Sequence, residues 1–322
     1  MAPVHTGTRL DHYSIDHLVA RSGMASIFRA TDLRTGNSVA IKVPHPEVES
    51  DPVFSGRFHL EEEIGRKLDH PGVMKVIEDG QRTRLYMVME WVDGRLLRKV
   101  MIEHGRLPAG RAVGIALGIC DALAYIHSRG VVHRDLKPEN IMVDAQDRIK
   151  LIDFGIAATV GSRRLTLSKL SQVMGTADYI SPEQVEGKRG DARSDLYALG
   201  IMLYELLTGK TPFLGANALL VMNDRLHNNP VPPREINPAI SPELQEIIYR
   251  ALEREPKNRY ASAREFARDL KNQDQVGVAE RLELRDWKRR RGPWPRQVLY
   301  GLMLAMIPVV IFGVLLLVAR HV

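Results

Sequence analysis

His133-Arg134-Asp135-Leu136-Lys137-Pro138-Glu139-Asn140, with Asp153-Phe154-Gly155 beginning thirteen residues after Asn140, constrains this chain more than any other feature. The two stretches bring together a carboxylate able to orient a hydroxyl, a lysine, an amide and a second carboxylate. Phosphoryl transfer asks a protein for these parts, because the reaction runs on positioning and charge neutralisation rather than on covalent chemistry. Upstream, Val39-Ala40-Ile41-Lys42 alternates apolar residues about a lysine, the pattern of a half-buried strand. Strand patterns come first and helical patterns dominate afterwards. That order predicts an α+β architecture with a small β-rich lobe on a larger helical lobe.

Eight consecutive residues and a correctly spaced second motif make the chain resemble the eukaryotic-like Ser/Thr protein kinases, in particular their bacterial membrane-anchored branch. The resemblance implies the two-lobed kinase fold over residues 13–271, ATP and Mg²⁺ as cofactors, and transfer of the γ-phosphate to Ser or Thr of protein substrates and of the chain itself. In this frame Asp135 orients the substrate hydroxyl, Lys137 neutralises the departing γ-phosphate, and Asn140 and Asp153 hold Mg²⁺. A lysine at position 137 is similar to the Ser/Thr-specific pattern. Lys42 reaches the α- and β-phosphates and pairs with a glutamate of the following helix. Glu61 is the choice among Glu61, Glu62 and Glu63, because it lies seven residues before Leu68 of Leu68-Asp69-His70-Pro71, a spacing similar to that of bacterial relatives. A solvated helix face is the reading for Glu62 or Glu63. Tyr86 to Val92 resembles the strand entering the hinge between lobes, with Met89 as gatekeeper and the backbone of Glu90 and Val92 bonded to adenine.

The chain departs from its family at the glycine-rich loop. The positions of Gly-x-Gly-x-x-Gly-x-Val fall on Ala20, Ser22, Ala25 and Ile27, beside Gly23. Each signature glycine is replaced by a small residue. Glycine lets backbone amides approach phosphate and adopt unusual φ/ψ, so weaker nucleotide handling is expected. This substitution is the one feature that favours a different class, a weakly active pseudokinase serving as a membrane-bound interaction module.

An activation segment runs from Asp153 to Glu183, where Ser181-Pro182-Glu183 resembles the family's Ala-Pro-Glu. The resemblance implies a buried ion pair between Glu183 and Arg259, a substrate-receiving role for Thr176, and a bracing role for Asp195 beneath the catalytic loop. Arg134, beside Asp135, calls for an anionic partner, which a phosphorylated loop supplies. The candidate acceptors are Thr166, Ser168 and Ser171, with Thr159 and Ser162 further upstream. A small-molecule kinase of similar fold is disfavoured by this segment and by Thr176, which serve peptide substrates.

The rest of the chain reads as an appendage. Val298 to Ala319 carries no charged residue, and about 20 apolar residues span a bilayer core. Lys288-Arg289-Arg290-Arg291 and Trp294 precede it, which by the positive-inside rule puts the kinase domain in the cytoplasm. Residues 272–297 read as a charged juxtamembrane linker. With three residues after the span no external sensor is expected, so input comes from cytoplasmic partners, the membrane helix or a homodimer. The net charge of +6 belongs partly to this cluster. No nucleic-acid motif accompanies it, and no nucleic-acid partner is expected. A single cysteine, Cys120, lies in an apolar helical run and reads as a small buried hydrophobe. His133 reads as a packed residue rather than an acid or base.

Overall fold

The computed structural model describes residues 4–78, 80–153 and 178–279. The chain divides into two units, Met1–Ala279 and Glu280–Val322, and the second lies outside the described residues, with the proposed membrane segment. The first unit opens with strands β1 (Arg9–Leu10), β2 (Tyr13–Arg21), β3 (Ala25–Asp32) and β4 (Ser38–Pro44). Helices α1 (Pro46–Glu49) and α2 (Pro52–Arg66) follow, then β5 (Val76–Ile77) and β6 (Met87–Glu90). These strands form one antiparallel sheet in the order β1-β2-β3-β4-β6-β5.

Two periodicities aim the functional side chains of this lobe. Along β4 the side chains alternate, so Val39, Ile41 and Val43 join one apolar cluster with Tyr13, Phe28 and Val88. Ala40 faces the other way, into a cluster with Phe58 of α2, Met87 and Met89. Lys42 shares that second face by the same alternation, so it points toward α2. On α2 the buried positions are Phe58, Glu61, Glu62 and Gly65, the spacing of a single helical stripe. Gly65 allows the close approach, since a Cβ there would meet Val76 Cγ2 at 2.4 Å.

The larger lobe contains a three-stranded sheet of β7 (Arg95–Leu96), β8 (Ile141–Val143) and β9 (Ile149–Leu151). Its helices are α3 (Leu97–His104), α4 (Ala109–Ser128), α5 (Pro182–Val185), α6 (Ala192–Thr208), α7 (Ala218–His227), α8 (Pro233–Ile236), α9 (Pro242–Ala251) and α10 (Ala263–Lys271). Helix α6 is the central one and is buried along nearly its whole length. A side chain at Gly200 would strike Ala251 Cβ at 2.8 Å, so α6 and α9 cross closely. Among the described residues α4 is the one helix long and apolar enough to cross a membrane, at 20 residues and a mean hydropathy of 1.5. It packs instead in the apolar core, and its Cys120 thiol is pushed up to about 12 by burial. The segment Gly72–Met74 bonds to β9 through Leu151 N to Gly72 O at 2.9 Å and Met74 N to Leu151 O at 2.8 Å. These bonds fix the strand that leads to Asp153 against the smaller lobe.

Candidate active site

The loop after α4 is held from below by one buried carboxylate. Asp195, 1% exposed on α6, accepts from His133 N at 2.9 Å and Arg134 N at 2.7 Å, and bonds His127 Nε2 at 2.7 Å. Arg134 adopts a left-handed backbone with φ 65°, uncommon for a residue with a side chain. Such a conformation persists where the surroundings over-determine it. Here the Arg134 N–H goes to Asp195, and its carbonyl accepts from Gln184 Nε2 at 2.9 Å. His133 is fully buried beneath the loop.

This turn presents Asp135 to the cleft side of the loop. Lys137 Nζ donates to Asp135 Oδ2 at 2.7 Å, and Asn140 Nδ2 donates to Asp135 O at 2.8 Å and to Oδ2 at 3.3 Å. With its Nδ2 so engaged, Asn140 has Oδ1, a hard oxygen, to offer a cation. Ile152 N donates to Asn140 O at 3.0 Å, which brings the start of the Asp153 stretch alongside. Among the described residues no group of three or more His, Cys, Asp or Glu side chains is suited to a metal. An amide and a carboxylate suffice for Mg²⁺, because substrate phosphates and water complete its octahedron.

Lys42, Glu61 and Asp153 form a second cluster. Lys42 Nζ lies 2.7 Å from Glu61 Oε1 and 3.7 Å from Asp153 Oδ1. Burial works against the Lys42 ammonium, but the charges of Asp153 and Glu61 outweigh it and raise its pKa to about 12. Glu61 moves the other way in charge. Burial pushes it up to about 7, opposed by the Lys42 ammonium and helped by Asp153. Of this pair Lys42 is thus the fixed charge, while burial holds the Glu61 carboxyl up. Glu63 is the solvated neighbour, paired with exposed Lys67 at 2.6 Å. Glu62 is not solvated: at 5% exposure it lies on the buried stripe of α2 and pairs with two arginines.

A protein kinase domain model matches residues 13–272, on the same elements that carry both clusters. The chain belongs to the eukaryotic-like bacterial serine/threonine protein kinase family. It is 38% identical over 265 residues to the serine/threonine-protein kinase PknB of Mycolicibacterium smegmatis, covering 81% of this chain and 42% of that protein. Identity to PknB of Mycobacterium tuberculosis is 37% over 265 residues, with the same coverages of 81% and 42%. The chain therefore spans well under half the length of these curated relatives. Among solved structures, the kinase domain of Mycobacterium tuberculosis PknI superposes with a TM-score of 0.65 at 27% identity, over 84% of this chain and 100% of that one.

In this kinase fold the hairpin between β2 and β3 occupies the glycine-rich position. Ala20 pairs with Ile27 across the hairpin, Ala25 is buried, and Ser22, Gly23 and Met24 form the exposed tip. Among non-glycine described residues only Asp11, Arg134 and Asp147 have positive φ, so Ala20, Ser22 and Ala25 need no glycine-like backbone. Nothing lies within 4 Å of a Cβ built on Gly23. The Ser22 hydroxyl instead closes the tip. Its Oγ accepts from Ala25 N at 3.1 Å and Met24 N at 3.3 Å and donates to Ala25 O at 3.0 Å. At the other wall Met89 is buried opposite Ala40. Glu90 N donates to Lys75 O at 3.0 Å, and the Glu90 carboxylate pairs with Lys150 of β9 at 2.6 Å.

Below the loop, Glu183 and Arg259 meet through two parallel bonds, Nη1 to Oε1 at 2.8 Å and Nη2 to Oε2 at 2.7 Å, with Ser194 Oγ on Oε1 at 2.6 Å. Burial would raise the Glu183 carboxyl, but Arg259 holds it below its ordinary value. Arg134 Nε is buried without a hydrogen-bond partner among the described residues, and burial together with nearby Arg189 lowers its pKa. Phe154, Gly155, Thr159, Ser162, Thr166, Ser168, Ser171 and Thr176 lie outside the described residues. Sequence reasoning missed one network at the site. Arg98 of α3 bonds Glu139 of the catalytic loop at 2.7 Å and Glu205 of α6 at 2.9 Å, and the Tyr179 hydroxyl bonds both Arg98 and Glu205. No local pattern announces it, since its members are far apart in sequence.

Proposed function

We propose that the chain is an ATP- and Mg²⁺-dependent Ser/Thr protein kinase that phosphorylates itself and cytoplasmic proteins in signalling. The observation that carries this reading is the formed Lys42–Glu61 contact of 2.7 Å, with Asp153 beside it and Asp135, Lys137 and Asn140 grouped on the neighbouring loop. Lys42 binds the α- and β-phosphates, and Glu61 fixes its ammonium. Glu90 offers adenine its carbonyl, its N–H being bonded to Lys75, and Val92 supplies the remaining hinge contact. Asn140 Oδ1 and the Asp153 carboxylate hold Mg²⁺, which when bound neutralises phosphate charge. Asp135 accepts a hydrogen bond from the substrate hydroxyl and aims it at the γ-phosphate, and Lys137 stabilises charge on the transferred group. Thr176 receives the peptide substrate, and phosphorylation among Thr166, Ser168 and Ser171 supplies an anion for Arg134.

The replaced loop glycines favour slower nucleotide handling rather than loss of activity, because the ion pair and both catalytic clusters are assembled. The test is incubation of the purified chain with labelled ATP and Mg²⁺, followed by phosphoamino-acid analysis. Label on Ser or Thr is expected. Nucleotide binding without any transfer would replace this reading with the pseudokinase module.

Residues 298–319 serve as a single membrane anchor with the kinase domain inside the cell, supported by the uncharged run and the basic cluster on its N-terminal side. Anchoring concentrates the enzyme on a surface and favours phosphorylation between copies. Fractionation tests it: the chain is expected in the membrane pellet and, without residues 292–322, in the supernatant. A chain soluble without detergent would remove the anchor.

A further inference from the structure

Helix α2 must hold Glu61 toward Lys42, yet most of its apolar side chains are only partly buried. Of its four buried residues, Gly65 has no side chain, Glu61 and Glu62 are charged, and Phe58 alone is a large hydrophobe. Phe54, Leu60 and Ile64 add partly buried apolar contacts, but apolar contact is non-directional, so a directional fixed point is needed to set rotation about the axis. Glu62 supplies it. Its carboxylate forms an ion pair with Arg82 Nη2 at 2.7 Å and accepts from Arg66 Nη2 at 2.7 Å. Arg66 is 36% exposed and belongs to the same helix, and beyond it reaches only Glu78, at 3.8 Å and 82% exposed, a weak anchor. Arg82 is 11% exposed and lies beyond β5, on the segment entering β6.

Arg82 is itself held. Its guanidinium donates to Tyr86 O and lies 4.9 Å from the centroid of the Tyr86 ring. Tyr86 is fully buried, and its hydroxyl donates to Asp11 Oδ2 at 2.7 Å, an oxygen that also accepts from Thr83 N at 3.2 Å. Asp11 has a left-handed backbone, φ 52°, in the turn between β1 and β2. From the same segment Arg84, 7% exposed, reaches Glu49 of α1 at 2.9 Å, just ahead of α2. The segment entering β6 is thus tied to α2 through Arg82 and to α1 through Arg84.

We propose that Arg82 is a positioning residue for phosphoryl transfer, setting the rotation of α2 through Glu62 so that Glu61 meets Lys42, with Tyr86 and Asp11 fixing Arg82 in turn. Successive helix residues point about 100° apart, so fixing Glu62 on Arg82 also fixes the direction of Glu61. The proposal rests on the reading of Lys42 and Glu61 as the nucleotide-binding pair.

A double-mutant cycle on the full chain tests it, with ATP and Mg²⁺ as the probe, calorimetric affinity and kcat/KM as readouts, and the thermal midpoint measured alongside. Arg82→Ala is expected to weaken ATP binding about tenfold in the wild-type background, a coupling normal for residues in contact. In a Glu61→Ala background it is expected to change affinity no further, and Arg82→Lys is expected to restore most of it. If Arg82→Ala yields no folded protein, Tyr86→Phe and Arg82→Gln read the same connection, each weakening binding about twofold only when Glu61 is present. Equal losses in both backgrounds, or wild-type affinity in Arg82→Ala, would overturn the proposal. ATP binding that follows this cycle in a chain without any transfer would sink the kinase reading and keep the positioning role.

Discussion

The loop 133–140 and the hairpin tip 22–24 both face the chemistry of phosphate, and they are held by different means. The loop is bonded from beneath by Asp195, from the side by Gln184 and through Glu139 by Arg98, all distant in sequence. The hairpin tip is exposed and closed by its own Ser22 hydroxyl. The loop keeps a strained backbone at Arg134 because buried partners enforce it. The tip has one bond from outside the hairpin, His45 N to Met24 O at 2.8 Å, and there substitution of the family's glycines requires only small side chains and ordinary φ/ψ. Residues proposed to perform the chemistry are over-determined by tertiary bonds, whereas those proposed to cover the nucleotide are shaped locally.

The sharpest way to break that contrast lies in the loop. Asp135→Asn is expected to lower phosphate transfer by about 10²–10⁴-fold, the usual worth of a positioned base, as read by initial rates with labelled ATP. Unchanged rates would remove Asp135 from the mechanism. The same loss is expected for Lys42→Met, with a parallel loss of ATP affinity.

The support beneath the loop comes next. Arg259→Ala leaves the Glu183 carboxylate buried without its charge partner, which costs ~3–5 kcal/mol of stability. Denaturant unfolding measures it, and a loss under ~1 kcal/mol, the worth of an exposed pair, would show that the pair is not a support. Because the Glu183 pKa is lowered on folding, its contribution is present above the ordinary carboxylate value and is lost as pH falls through the folded value. The Arg259→Ala chain therefore loses less stability on acidification than the wild type.

A middle-sized effect falls on Glu61. Its pKa is raised to about 7, so the native chain holds this proton more tightly than the unfolded one. The stability this confers is full below the ordinary carboxylate range and is lost as pH rises toward about 7. Over the same rise the carboxylate ionises and completes the pair with Lys42, so ATP affinity climbs. Calorimetry of wild type and Glu61→Gln across this range should differ by that step, since the titration of ATP itself cancels between them. A difference between them that does not change with pH would show that Glu61 does not titrate in this range.

The smallest effect is expected at the tip. Ser22→Gly frees the N–H groups of Met24 and Ala25 and raises backbone freedom, a change of ~1 kcal/mol or less, read as a few-fold shift in KM for ATP. A fall in KM with Ala20, Ser22 and Ala25 all replaced by Gly supports the small-residue account. A shift as large as that of Lys42→Met would mean the tip is as tightly specified as the loop.

Much of the site was legible because kinase chemistry is written in short, contiguous motifs. The expected α+β fold and the grouping of Asp135, Lys137 and Asn140 follow from such runs and from element order, and the choice of Glu61 beside Lys42 from a spacing shared with bacterial relatives. Glu62 shows where the reading stopped. A glutamate next to two others on a polar helix looks solvated, and only the arrival of Arg82 from another element makes it buried. Arg98, Glu205 and Tyr179 were illegible for the same reason.

By itself, then, the sequence determined which residues carry charge and hydrogen-bonding groups and which face of a strand or helix each occupies, because those depend on residue type and local period. Tertiary structure alone decided which charges meet: Arg82 with Glu62, Arg98 with Glu139, Asp195 with the amides of His133 and Arg134. Such pairs form between elements brought together by apolar burial, which acts on area and not on sequence distance. A buried charge is stable only where that burial delivers a partner.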